Sequence, residues 1–157
     1  MIILGIDPGY ANCGLAVVEK NSDGKYVVLQ TVSAGLGPRK SEGERIDVIA
    51  EALLKIFKRH RISAVGFERN FFGRNKSSAF KIAQVVGVLK YLCHKNSKSF
   101  YEFLPNDIKG SVGTADKSKL AMASAVQTIT GRSFSTSHET DAVAVALTYF
   151  FNLKETV

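Results

Sequence analysis

Ile2-Ile3-Leu4-Gly5-Ile6-Asp7-Pro8-Gly9 opens the chain, and the rest is read outward from it. A mostly apolar run of this length, closed by a turn signal, reads as a strand buried on both faces of a sheet. Its last residue before the Pro8-Gly9 turn is Asp7, so the strand delivers a carboxylate to the rim of the sheet. That is a common way to mount a metal ligand or catalytic group. Asp-Pro-Gly is also ordinary turn chemistry, and the stretch alone does not separate the two.

The segments that follow suit a sheet flanked by helices. Cys13–Glu19 reads as a second strand, Asn21-Ser22-Asp23-Gly24 as a turn, and Tyr26–Val32 as a third strand, which together make an antiparallel meander. Gly35, Gly37 and Pro38 mark a loop. Ser41 with Glu44 has the form of a capping box, and Ile46, Ile49, Ala50, Leu53, Ile56 and Phe57 recur at helical spacing. Ile62–Phe67 is a further strand, and it too ends in an acid, Glu68. A basic, aromatic loop comes next, then a helix over Ser78–Cys93 whose apolar residues cover more than one face. Such a helix needs cover on two sides, the sheet and a partner subunit. Phe100–Leu104 reads as the fifth strand and Pro105–Lys109 as a short helix. Thr114-Ala115-Asp116 is expected to start another helix that stops at Gly131. The last helix is expected from about His138 to Phe151, capped by Ser137. The fold class is α/β, a five-stranded mixed sheet with helices on its faces, in a single domain of 157 residues.

Composition narrows the function. Lysine and arginine number 21 against 14 acids, a net charge of +7 with a pI near 9.5, which favours a polyanionic partner. No basic amphipathic helix suits a membrane surface and no apolar run approaches the roughly 20 residues that span a bilayer, so nucleic acid leads. The N-terminus lacks the basic region of a signal peptide. Cys13 and Cys93 form no disulfide framework and no C-x-x-C pair, so reduced thiols and a cytoplasmic location are expected.

Three segments can bring acids together: Asp7, Glu68, and the start of the last helix with His138, Glu139 and Asp141. Residues three apart share a helix face, so His138 and Asp141 can address one site, while Glu139 lies about 100° round and points elsewhere. Acids are also favoured at any helix N-terminus, so Asp141 alone is even-handed evidence. Carboxylates clustered in an apolar setting repel and lose their charge unless a cation joins them, and hard oxygen ligands suit magnesium or manganese. His60 and His94 have no comparable setting.

At this point Gly5-Ile6-Asp7-Pro8-Gly9, Phe67-Glu68 followed by Phe71, Asn75 and Ser78-Ala79, then Asp116-Lys117-Ser118 and Asp141-Ala142-Val143-Ala144-Val145-Ala146 resemble the RuvC-type Holliday junction resolvases. The segments fall in the right order over nearly the whole chain. The resemblance implies an RNase H-like fold, a homodimer, and an endonuclease of bacterial or viral origin that nicks opposing strands of four-way DNA junctions. It implies that Asp7, Glu68 and Asp141 are metal-binding catalytic acids. Lys117 resembles a basic residue near the scissile phosphate, Lys109 a further basic contact, and Phe71 an aromatic that intrudes near the crossover.

Many members carry an aspartate where this chain has His138, and others carry histidine. An imidazole at that place suits manganese better than magnesium. Faster cleavage with manganese, falling at acidic pH as His138 protonates, is therefore expected. Two cations about 4 Å apart would activate water, stabilise the phosphorane charge and assist the leaving oxygen. Asp7 would bridge them, Glu68 would hold one side, and His138 with Asp141 the other, with Lys117 adding positive charge. Arg69, Arg74, Lys76 and Lys81, with Phe71 and Phe72 among them, suit DNA unstacked at a branch point, or else a solvated basic face over a packed core. Competing readings are an RNase H-like nuclease for RNA or other branched DNA, and a junction-binding protein that does not cleave. An actin-like ATPase shares the Gly-Ile-Asp strand but needs two such domains. Nothing in the sequence names a branch-migration motor as partner.

Overall fold

The computed structural model describes residues 1–69, 76–114 and 118–152. Five strands form one sheet in the order β3-β2-β1-β4-β5. β1 (Ile2–Asp7), β2 (Asn12–Lys20) and β3 (Tyr26–Gly35) make the antiparallel meander, as the short turns between them require. β4 (Ala64–Glu68) and β5 (Phe100–Phe103) run parallel to β1, each reached through a helical crossover. α1 (Glu42–Arg59) lies between β3 and β4, and α2 (Lys76–Lys95) between β4 and β5. α3 (Pro105–Val112), α4 (Lys119–Thr130) and α5 (Ser137–Asn152) complete the chain.

Strand alternation divides the core into two layers. Leu4, Ile6, Leu15, Val17, Val65 and Phe67 face α1 and α2, where Ile49, Leu53, Ile56, Val85 and Leu89 cover them. Ile3, Ala16, Val18 and Ala64 face the other way, against α5, with α3 and α4 outside it. α5 is apolar nearly all round because it is buried between the sheet and those outer helices. Small residues let it sit close. A methyl at Gly5 would overlap the Ala142 carbonyl oxygen and crowd the Ala146 amide, and one at Gly14 would overlap the His138 carbonyl oxygen. Gly5 pairs with Ala16 on one side and with Gly66 on the other, so a row of small residues lies beneath the helix.

Several boundaries differ from expectation. β4 begins at Ala64 rather than Ile62: the Ile62 amide turns back to the His60 carbonyl, and Ser63, whose amide reaches the Ile2 carbonyl on β1, lies just before the strand. α4 begins at Lys119 and not at Thr114-Ala115-Asp116, because Ser118 is the cap: its hydroxyl accepts the Ala121 amide. Residues 115–117 lie outside the described residues. α5 is capped by Thr136 rather than Ser137. The Thr136 hydroxyl accepts the Glu139 amide at 3.2 Å while the Glu139 carboxylate accepts the Thr136 amide at 3.1 Å, a reciprocal box one residue upstream. The Ser41–Glu44 box on α1 is present as read. α2 buries only Val85, Leu89 and Cys93, leaving Phe80 66% and Tyr91 59% exposed, so its second apolar face is uncovered within this chain. No helix among the described residues is long and apolar enough to cross a membrane, and both cysteines are free and buried.

Candidate active site

The site grows from strand geometry. Ile3, Gly5 and Asp7 alternate onto the α5 face of β1, and Ala64, Gly66 and Glu68 onto the same face of β4. The parallel register pairs Gly5 with Gly66 and Ile6 with Phe67, so its next step sets Asp7 beside Glu68 at the carboxyl ends of the two strands. α5 starts above them. Its first turn is fixed by the Thr136–Glu139 box and by the bond from Thr31 on β3 to Glu139 at 3.0 Å. Glu139 is thus spent on structure and points away from the acids, as its angular offset predicts. His138 and Asp141, three apart, face them. His138 Nδ1 pairs with Asp7 Oδ2 at 2.9 Å.

The electrostatics of the cluster are those of carboxylates short of positive charge. Burial, then the charges of Asp7 and Asp141, push the Glu68 carboxyl up to about 7, with Lys109 opposing. Burial, then Asp7, push Asp141 up to about 6, opposed by His138, Lys119 and Lys109. Asp7 is raised by burial against the pull of its bond to His138 and the charge of Lys119. Groups kept near neutrality by desolvation and one another are the donor set that a divalent cation would ionise and hold. Among the described residues no three ligating side chains stand in a ready coordination arrangement. Beside the acids is a small cavity of about 160 Å³, whose lining includes Glu68, Asp141, Lys109, Ser118 and Lys119.

Of the residues singled out from sequence, Asp7, Glu68, His138 and Asp141 come together, with Lys109 on the cavity wall. Arg69 and Lys76 are exposed at the borders of the segment 70–75. Lys81 turns back toward Glu42 Oε1 at 3.8 Å and lies over the Tyr10 ring. Phe71, Phe72, Arg74, Asn75 and Lys117 lie outside the described residues. Sequence reasoning missed Lys119. Its only signal was position, two residues past Lys117 and directly after the cap Ser118. It missed Tyr10 as well, which follows the Asp7-Pro8-Gly9 turn and is flanked by Arg45 and Lys81 at 5.3 and 5.1 Å.

A five-stranded mixed sheet with acids at the ends of two adjacent parallel strands and on the helix that crosses them defines an RNase H-like nuclease fold. The family model described as crossover junction endodeoxyribonuclease RuvC matches residues 3–149. Curated relatives of that description include one from Campylobacter jejuni, 36% identical over 157 residues and covering 98% of both chains. Another, from Brachyspira hyodysenteriae, is 32% identical and covers 95% of this chain and 93% of its own. Among solved structures, Thermus thermophilus RuvC in complex with a Holliday junction substrate superposes with a TM-score of 0.89 at 28% identity, covering 99% of this chain and 97% of that one. The chain belongs to the crossover junction endodeoxyribonuclease RuvC family.

Proposed function

We propose that this protein resolves four-way DNA junctions by metal-dependent paired nicking, acting as a homodimer in the bacterial cytoplasm. The observation that carries the reading is the convergence of Asp7, Glu68 and Asp141, with His138 bonded to Asp7, on one rim of the sheet. Three partly buried carboxylates that repel one another serve no purpose in packing, and they fit the binding of hard divalent cations. Asp7, Glu68, Asp141 and His138 would hold two magnesium or manganese ions. Bound there, the ions supply an activated water and charge stabilisation at phosphorus.

The chain's own residues do the rest. The attacking water gives up a proton as its oxygen bonds to phosphorus, the P–O bond to the strand oxygen breaks and that oxygen takes up a proton, so negative charge grows on the phosphoryl oxygens in the transition state. Lys109 faces the acids from the cavity wall and is suited to receive one of those oxygens. Lys117 is proposed for the same phosphate, and Arg69, Phe71, Arg74, Lys76 and Lys81 for the DNA beside the branch point. Lys81, already balanced by Glu42, contributes least of these. The net charge of +7 supplies sequence-independent affinity. The Thermus relative, solved on a Holliday junction, supports a branched substrate over linear duplex or RNA. The uncovered face of α2, with Phe80 and Tyr91, supports the dimer, which would present two active sites to opposing strands.

The test is a nicking assay on a synthetic four-way junction, with linear duplex and RNA–DNA hybrid as controls. Glu68→Gln is expected to lose cleavage by at least about 1,000-fold while keeping junction affinity, because phosphate-neutralising cations rather than acids carry binding. A Glu68→Gln variant that nicks normally, or one that no longer binds, overturns this division of labour.

A further inference from the structure

Lys119 is the first residue of α4, directly after the cap Ser118, and its side chain reaches across to the acid cluster. Its ammonium lies 3.3 Å from the Ser137 hydroxyl at the start of α5. Among the described residues it forms no ion pair within 4.0 Å. It is nonetheless close enough for its charge to hold down both Asp7 and Asp141. Lys119 therefore shares the cavity with Glu68, Asp141 and Lys109 without neutralising either acid. One of its three donors is directed at Ser137, which anchors the side chain from the neighbouring helix, and two remain.

We propose that Lys119 is a catalytic residue of this nuclease: it donates to a non-bridging oxygen of the DNA phosphate seated against the acid cluster, in the cavity it shares with Lys109. The assignment rests on the nuclease reading of the site. An exposed lysine that faced bulk solvent would gain nothing from Ser137, whereas one poised over a phosphate gains a fixed starting position. Its charge carries a cost that gives it a signature. Standing beside the carboxylates, Lys119 repels the divalent cations they bind, so the same side chain weakens metal affinity while it stabilises charge on the phosphate. A lysine with a merely structural role would do neither.

Lys119→Met separates these effects. Calorimetric titration of the DNA-free protein with Mn²⁺ is expected to show about three- to tenfold tighter binding in the variant than in wild type. Single-turnover nicking of a four-way junction at saturating protein and Mn²⁺ is expected to slow by about 10- to 100-fold. Lys119→Arg, which keeps the charge, is expected to restore wild-type metal affinity and part of the rate. Because Lys119 is exposed, the melting temperature should be unchanged. Equal Mn²⁺ affinity and equal rate in Lys119→Met overturn the proposal while leaving the nuclease reading intact. A lowered melting temperature with unchanged metal affinity also overturns it, in favour of a structural tether. Wild-type protein that binds no Mn²⁺ and cuts no junction overturns the nuclease reading itself, and this proposal with it.

Discussion

At the scale of single residues, the acid cluster sets how the protein responds to protons and to metal. Glu68 titrates near 7 and Asp141 near 6 in the folded, metal-free chain, both above the ordinary carboxylate values of 4.5 and 3.8. A carboxyl raised on folding binds its proton more tightly in the native state. Its stabilising contribution is complete below the unfolded value and is lost as pH rises through the folded one. The metal-free protein is therefore expected to lose melting temperature between about pH 4 and pH 7 on account of this cluster. Added Mn²⁺ should restore stability most strongly above pH 7, where the acids are ionised and repel. Differential scanning calorimetry at stepped pH, with chelator and with Mn²⁺, measures both halves; a metal effect that is larger at pH 5 than at pH 8 contradicts this account.

His138 is the other residue whose chemistry is specific to this chain. Its Nδ1 is engaged with Asp7 at 2.9 Å, so Nε2 is the nitrogen left for a cation. An imidazole donor shifts preference from magnesium toward manganese. In His138→Asp the ratio of nicking rates with Mn²⁺ and Mg²⁺ is expected to fall by about tenfold, mainly through a gain with Mg²⁺. The ratio is read from paired assays on one junction substrate, and an unchanged ratio removes His138 from the metal's coordination.

At the scale of elements, the proposed active site depends on how closely α5 lies on the sheet. Asp141 and His138 reach Asp7 only because Gly14 and Gly5 leave no side chain beneath the first two turns of the helix. In Gly14→Ala the new methyl would meet the His138 carbonyl oxygen, and in Gly5→Ala the Ala142 carbonyl oxygen. Backbone cannot step aside as a flexible side chain can, so the helix has to lift. The expected cost is about 1–3 kcal/mol of stability, measured by urea denaturation. Nicking should fall by more than stability explains, since a displacement of about 1 Å at the reacting groups costs about 100-fold. A Gly14→Ala variant that unfolds earlier but nicks at the full rate would show that α5 can shift without disturbing the site. Tyr10 has a comparable part on the opposite layer. Held between Arg45 and Lys81, it joins the turn after Asp7 to the starts of α1 and α2. Arg45 is buried, and donates to the Leu36 and Gly37 carbonyls at 2.8 and 2.6 Å, so the loop after β3 is strapped to the same point.

At the scale of the whole molecule, one layer is complete and the other is not. α5 is covered by the sheet, α3 and α4, whereas α2 leaves Phe80 and Tyr91 to solvent in a single copy. Exposed aromatics on one helix face are the expected core of an interface. Phe80→Glu should leave the fold intact, since the side chain is 66% exposed in the protomer, and should shift the protein to monomer in sedimentation velocity. Paired nicking of a junction should then fall while isolated nicks continue. A Phe80→Glu protein that remains dimeric places the interface elsewhere.

Local signals had already fixed the three-strand meander, both acids at strand ends, the capping box of α1 and the helical spacing of His138 with Asp141, because alternation, turns and caps are written over a few neighbouring residues. Where those signals were repeated, they misled: Thr136 and Ser137 both suit a cap, and only the bonds to Glu139 chose Thr136. The site itself needed the tertiary structure. Asp7 and His138 stand 131 positions apart, and their contact follows from antiparallel pairing of β1 with β2, which sets Gly14 beside Asp7, and from the close seat of the His138 backbone on that glycine. Lys119 entered for the same reason, since its importance lies in what α4 packs against and not in its own surroundings in the chain. The raised Glu68 and Asp141 carboxyls follow likewise, because burial and the approach of like charges arise only when distant segments meet.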